Sequence, residues 1–319
     1  MATLRDKILQ AEAILRPHIR ETPLEYSYGL SALSGCEVYL KLENLQVTGS
    51  FKARGSMNKI LSLKNDNRKI ITASTGNHGL GVAHALKVTK KEGTIFLPTK
   101  ASVAKVEAIK QRGIPVEFYG ESGEITEVYA RQLAAKTNQV YVSPYNDEEV
   151  IAGQGTIGIE LCRQVPELDA VFVSIGGGGL IAGIATYLKY LNPAIRIIGC
   201  LPTNAPVMYE CIKAGKVIDV PEQPTLSDGT AGGMDHDSIT FEICRDLIDD
   251  FILTSEDEIL VGMRLVLKHH HQVIEGSAGV AVAAILQQKE KLKGKKVAAI
   301  ICGGNVSEEV LKRMVCNKS

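Results

Sequence analysis

The chain lacks most of the features that mark a protein for nucleic acid, membrane or export. It has no surplus of either charge. Lys plus Arg and Asp plus Glu number 36 each, so no net field draws it to nucleic acid or to anionic lipid. No run approaches the ~20 apolar residues of a membrane span. The N-terminus, Met1-Ala2-Thr3-Leu4-Arg5-Asp6-Lys7, has no apolar core of a signal peptide. Seven cysteines, at 36, 162, 200, 211, 244, 302 and 316, form no C-x-x-C pair and have no histidine at metal spacing. The odd, scattered set favours free thiols in a reducing compartment over a disulfide framework or a zinc site, and the expected location is cytoplasmic. There is also no short-period repeat, no low-complexity tract and no Pro/Ser linker.

What is present is ordinary soluble composition, with 45% apolar and 23% charged residues over 319 positions. That length suits one large domain or two of common size. Residues 3–16 carry Leu4, Ile8, Leu9, Ala13 and Ile14 at helical spacing, and Arg16-Pro17 ends that helix. Short apolar runs near 37–42, 69–73, 94–97, 116–119, 140–142, 170–174, 195–200, 250–254 and 297–301 alternate with helical patterns. β-α-β repetition of this kind predicts parallel sheets covered by helices, an α/β fold.

Three junctions carry candidate chemistry. After the strand pattern near 37–42 comes Thr48-Gly49-Ser50-Phe51-Lys52-Ala53-Arg54-Gly55, which sets one lysine in a small polar turn. A desolvated lysine loses its proton more readily and becomes a nucleophile. Taken alone, a lysine at a strand-to-helix turn is the plainer reading. Ser174-Ile175-Gly176-Gly177-Gly178-Gly179-Leu180 follows an apolar strand and opens an Ala/Leu-rich helix. Such a loop aims several N–H groups at one anion. A dinucleotide fold would place an acid at the end of the next strand. That strand ends Ile198-Gly199-Cys200-Leu201, so a single phosphate is favoured. Ala73-Ser74-Thr75-Gly76-Asn77-His78-Gly79 gathers hydroxyls, an amide and helix N–H groups suited to a carboxylate. The stretch 232–238 reads equally as a loop that meets a polar or cationic substrate side chain and as a solvated turn. His269-His270-His271 lie about 100° apart around a helix and cannot all ligate one ion.

Together with Ala152-Gly153-Gln154-Gly155-Thr156, Ile274-Glu275-Gly276 and Cys302-Gly303-Gly304-Asn305, these stretches resemble one family in order and placement, from about residue 5 to 313. The chain is similar to the fold-type II pyridoxal-phosphate enzymes of the serine/threonine dehydratase (ammonia-lyase) and serine racemase group. The resemblance implies two parallel-sheet α/β domains of the tryptophan synthase β type, with cofactor in the cleft between them. The smaller, 45–147, is inserted into the larger, 1–44 and 148–319. It implies a homodimer, an unregulated catabolic form and a small-molecule amino-acid substrate.

By the same resemblance Lys52 binds the aldehyde of pyridoxal 5′-phosphate and later takes the Cα proton. Phe51 packs beside the ring, Asn77 meets its 3′-oxygen, and Glu275 stands near it. Gly176, Gly177, Gly178, Gly179 and Leu180 hold the phosphate, while Ser74, Thr75, Gly76, Asn77 and His78 grip the substrate carboxylate. Cys302 occupies the place of the pyridine-nitrogen partner. A thiol is a neutral, weak partner, which suits prompt loss of a β-substituent rather than transamination. The expected reaction is β-elimination of water from a 3-hydroxy amino acid, giving a 2-oxo acid and ammonia, with the cofactor phosphate as acid for the leaving hydroxyl. Thr75 lies where the racemase has a second acid/base serine, so racemisation at the same site is the alternative. A non-catalytic phosphate-ligand module is the remote one. Gly276 replaces a usual proline and implies a looser Glu275. Pro224 replaces a metal-ligating Glu of relatives and leaves Asp228 alone, so no metal is expected.

Overall fold

The computed structural model describes residues 2–101 and 103–316. Ser102, where the sequence reading opens a helix near 102–111, lies outside them, and that helix is described as Val103–Lys110. Among the described residues ten strands alternate with helices. In chain order they are β1 (Leu24–Tyr26), β2 (Glu37–Lys41), β3 (Ile70–Ala73), β4 (Gly93–Leu97), β5 (Val116–Phe118), β6 (Val140–Tyr141), β7 (Ala170–Ser174), β8 (Arg196–Pro202), β9 (Asp250–Thr254) and β10 (Lys296–Ile300). They form a six-stranded sheet, β1-β2-β10-β7-β8-β9, and a four-stranded sheet, β5-β4-β3-β6. Only the β1–β2 pair is antiparallel. β10, the last strand made, lies between β2 and β7 and is the only link between the two halves of the larger sheet.

The strands explain their own sequences. In β7 every side chain of Ala170-Val171-Phe172-Val173-Ser174 is buried, because helices cover both faces of a parallel sheet and no polar alternation is needed. Burying a residue of the size of Phe172 or Val173 contributes roughly 1.5–3 kcal/mol, so Phe172→Ala would open the centre of the larger core. The first helix, Leu4–Leu15, is capped by Thr3 in a reciprocal box with Asp6. Its buried face is Ile8, Ala11 and Leu15, while Leu9 and Ile14 are each 47% exposed. The buried stripe therefore keeps Ile8 but runs through Ala11 and Leu15, not through Leu9, Ala13 and Ile14.

The helix Glu148–Gln164 positions the cleft. It is wedged between the helix Lys52–Ser62 and the helix Gly179–Leu191, and its Ala152–Thr156 motif is what allows the approach. A methyl on Gly153 would sit 2.7 Å from the Arg54 carbonyl oxygen, and one on Gly155 3.0 Å from that of Gly183. The helices bearing the lysine and the tetraglycine loop are thus each packed, backbone against backbone, on one element.

Beneath that contact lies a dry ionic cluster. Lys41, Glu43, Arg54 and Glu160 are all 0% exposed. Arg54 donates to both Glu43 oxygens at 2.8 Å and to Glu160 at 2.8 and 2.9 Å. Lys41 donates to Glu160 at 2.5 Å and to the Thr22 carbonyl and Gln164 at 2.8 Å. Burial works against both cations. For Arg54 the two carboxylates outweigh it and hold the guanidinium pKa above its ordinary value, whereas for Lys41 burial wins and the pKa falls.

The three late histidines part company. His270 Nε2 lies 2.6 Å from Ser27 Oγ, and His271 takes a left-handed backbone that ends the helix Glu256–His270. Among the described residues no three of His, Cys, Asp or Glu stand where they could share a metal ion.

Candidate active site

Lys52 is delivered by a strained turn. Thr48, a β-branched residue, is held at φ 71° and Gly49 at φ 77°, inside the left-handed region. What holds them is the segment after β10. Phe51 N–H donates to the Cys302 carbonyl at 3.0 Å, Gly304 N–H to that of Gly49 at 3.0 Å, and Asn305 Nδ2 to that of Thr48 at 2.8 Å. The lysine opens the helix Lys52–Ser62. Its Nζ donates to the Pro144 carbonyl at 2.7 Å and stands 5.2 Å from the centre of the Phe51 ring. Burial lowers its pKa to about 8, against the opposing pull of Glu127, Cys302 and Glu275. A carbonyl accepts from an amine in either protonation state, so this contact does not fix the proton.

The tetraglycine loop leaves β7 and opens the helix Gly179–Leu191 with Gly178 at φ 85°. No side chain caps that end, so the amides of its first turn have no acceptor within the helix. A methyl on Gly177 would lie 2.4 Å from the Tyr145 ring. Tyr145 thus packs under the loop while its neighbour Pro144 holds the lysine amine. The distance between amine and anion cradle is set by two adjacent residues.

Across the cleft, Ser74, Thr75, Gly76 and Asn77 are partly exposed at the start of the helix Asn77–Thr89. His78 does not join them with its ring. It is 3% exposed, and its Nε2 lies 3.0 Å from both Thr72 Oγ1 and the Val142 carbonyl. Burial, with the charge of Lys52 behind it, drops its pKa to about 3, so the ring is neutral. What His78 offers the loop is its backbone N–H.

Asn77 is oriented on two sides. Its Nδ2 donates to Glu275 at 2.9 and 3.0 Å, and its Oδ1 accepts from Asn305 Nδ2 at 2.7 Å. Glu275 also accepts the Asn305 N–H at 3.2 Å and lies 3.9 Å from Cys302 Sγ. Gly276 does not leave Glu275 loose. A methyl there would sit 1.9 Å from the Leu226 carbonyl oxygen, so the turn is closed tightly against the chain. The Cys302 thiol is buried, and burial together with Glu275 pushes its pKa well up. It faces the cleft as a neutral thiol.

One group of residues escaped the sequence reading. Glu127 and Arg131, a turn apart on the helix Gly123–Lys136, meet Asp235 of the 232–238 loop. Arg131 donates to Glu127 at 3.0 Å and to Asp235 at 2.8 Å. Asp235 also accepts from Asn146 Nδ2 at 3.1 Å, and its N–H donates to the Tyr145 hydroxyl at 2.8 Å. The only signal was the charge in the 232–238 loop. Nothing in the order of residues tied it to 127 and 131.

Residues 15–303 match the family described as pyridoxal-phosphate dependent enzymes. An L-threonine ammonia-lyase of Thermotoga maritima is 39% identical over 317 residues, 99% of this chain and 78% of that protein. A catabolic L-threonine dehydratase of Staphylococcus aureus is 41% identical over 305 residues, 94% of this chain and 88% of that protein. Among solved structures, maize serine racemase superposes with a TM-score of 0.91 at 33% identity, over 97% of this chain and 95% of that one.

Proposed function

The chain belongs to the pyridoxal-phosphate dependent enzymes, in the serine/threonine dehydratase group of fold type II, and from that premise we propose that the Lys52 cleft removes water from a serine- or threonine-type 3-hydroxy amino acid. The enzyme is a lyase of the ammonia-lyase type. Its cofactor is pyridoxal 5′-phosphate, and its products are a 2-oxo acid and ammonia.

The residues present fit that cofactor. The uncapped amides of Gly178 to Leu180 and the flanking Gly176 and Gly177 suit its phosphate. The Lys52 amine, which burial makes easier to deprotonate, suits its aldehyde, with Phe51 beside the ring. The Cys302 thiol suits its pyridine nitrogen, and Asn77, held by Glu275 and Asn305, its 3′-oxygen. When bound, the cofactor supplies an electron sink for the pair left on the substrate Cα. The protein supplies the rest. Backbone N–H groups from Ser74 to His78 hold the substrate carboxylate at the positive end of a helix. Lys52, with its pKa near neutrality, takes the Cα proton. The neutral thiol of Cys302 leaves the ring nitrogen without a charged partner, which favours immediate departure of the 3-hydroxyl. A homodimer and a cytoplasmic location accompany this reading by likeness, and no described helix is long and apolar enough to cross a membrane.

The observation that carries the proposal is the pairing of Pro144 and Tyr145. One holds the Lys52 amine at 2.7 Å and the other packs beneath Gly177. The test is the absorbance spectrum of purified holoenzyme before and after L-serine, L-threonine and 3-hydroxyaspartate. The expected result is a visible cofactor band, absent in Lys52→Ala, and 2-oxo acid from at least one substrate. D-amino acid without oxo acid would assign the reaction to Thr75 as a racemase. A colourless protein after incubation with pyridoxal phosphate would end the enzyme reading.

A further inference from the structure

The Glu127, Arg131 and Asp235 group has no part in the elimination as described, yet it is tied to the segment that holds the Lys52 amine. Tyr141, Pro144, Tyr145 and Asn146 form one short segment. It anchors the Lys52 amine through Pro144 and Asp235 through Tyr145 and Asn146. Glu127 is also the charged group that acts most strongly on the Lys52 amine.

The group is unbalanced in two ways. When both carboxylates are ionised they share one guanidinium and leave one negative charge over, and burial, which raises the Glu127 pKa, marks that carboxylate as the under-compensated one. Lys52 offsets it only as an ammonium, and not in the deprotonated form in which its amine is a nucleophile. Hydrogen bonding is incomplete as well. Arg131 Nε is buried without an acceptor, and the buried Tyr141 hydroxyl, beside Glu127, makes no hydrogen bond of acceptable geometry. The Arg131 guanidinium lies 5.4 Å from the centre of the Tyr141 ring. The group is half-buried, with Arg131 39% exposed, so its surplus carboxylate is within reach of a cation that enters the cleft.

We propose that Glu127, Arg131, Tyr141 and Asp235 form the subsite for the substrate side chain beyond the β-carbon, and that this subsite takes a cationic group and turns away an anionic one. The inference rests on the dehydratase reading and sharpens it. The preferred substrate is a 3-hydroxy amino acid with a distal ammonium, and 3-hydroxyaspartate is a poor one.

The test uses holoenzyme and two readouts. In the first, kcat/KM is compared for 3-hydroxyornithine, L-threonine and 3-hydroxyaspartate. The expected order is as written, with about tenfold or more between neighbours, the size of one charge-assisted hydrogen bond. Glu127→Gln should bring the three within about threefold of one another, and Glu127→Asp should restore part of the spread. In the second, the visible cofactor band is titrated with L-ornithine and L-aspartate, which carry the amine but no 3-hydroxyl. Ornithine should bind about tenfold more tightly in the wild type and lose that advantage in Glu127→Gln. A retained cofactor band shows that the variant is folded. Preference for the aspartate series, or ratios unchanged in Glu127→Gln, overturns the proposal. If no substrate yields oxo acid, the dehydratase reading fails, and the ornithine-to-aspartate ratio still decides the subsite.

Discussion

Lys52 and Arg54 are two basic residues two positions apart on one helix, the first half-buried in the cleft and the second fully buried, and they have opposite fates. Arg54 is enclosed by Glu43 and Glu160, which satisfy its fork and hold the charge in place. Lys52 meets a backbone carbonyl, which is content with either form of the amine. Burial alone therefore does not make a group reactive. Burial with matched counter-charge makes a permanent ion, and burial without it makes a nucleophile. The same turn supplies the brace and the reagent, so substitutions at the two positions separate the roles.

The largest expected effect tests whether the missing counter-charge matters. Lys52→Arg keeps a cation that cannot lose its proton. It should lower oxo-acid formation by three orders of magnitude or more and abolish the visible cofactor band. Activity within tenfold of the wild type would break the contrast. Next, Arg54→Met leaves buried Glu43 with only the Thr22 hydroxyl and Glu160 with only one satisfied oxygen, and should cost about 3–5 kcal/mol in a urea unfolding curve. A loss under ~1 kcal/mol would mean the cluster is not the brace.

Gly177→Ala drives a methyl against the Tyr145 ring, the support shared by loop and lysine. About 1–3 kcal/mol of overpacking should appear as weaker cofactor binding by equilibrium dialysis, with the unfolding midpoint less affected. The smallest effect is in pH. The neutral amine is the competent form, so the rate at which apo-protein takes up pyridoxal phosphate should rise as pH increases towards about 8 and level off above it. Linkage gives the matching sign for stability. The unfolded chain keeps the lysine proton up to its ordinary 10.5, while the folded chain releases it near 8. Apo-protein should therefore gain stability between those values relative to Lys52→Met, and below pH 8 it should carry the full burden of the buried charge. A flat difference across that window would place Lys52 in water.

Much of this was legible in the sequence, and the exceptions have physical causes. The strands could be placed because buried parallel strands are continuous apolar runs. Their order could not, since nothing local says that β10 belongs between β2 and β7. Lys41 was hidden by its pattern. In Val38-Tyr39-Leu40-Lys41-Leu42 alternation suggests a polar residue facing out, yet Lys41 is fully buried because Glu160 waits for it from 119 positions away. His78 lies at the start of the helix Asn77–Thr89 with the loop, but its ring is turned to Thr72 behind it. Arg131 and Asp235 meet only in three dimensions. Local chemistry was readable wherever one segment held all of it, and unreadable wherever partners came from distant segments.

The place of β10 also sets a timetable. A ribosome adding ~5–20 residues per second releases Lys52 early, and β3 to β6, consecutive in the chain, can pair as they emerge. The frame that bends Thr48 and seats Cys302 arrives only with the last strand and the turn after it. For tens of seconds the nascent chain holds a lysine in an unfinished turn, with an ordinary affinity for protons and no thiol opposite. Catalytic competence thus waits on synthesis through the turn after β10, and a chain cut short before Lys296 releases no ammonia.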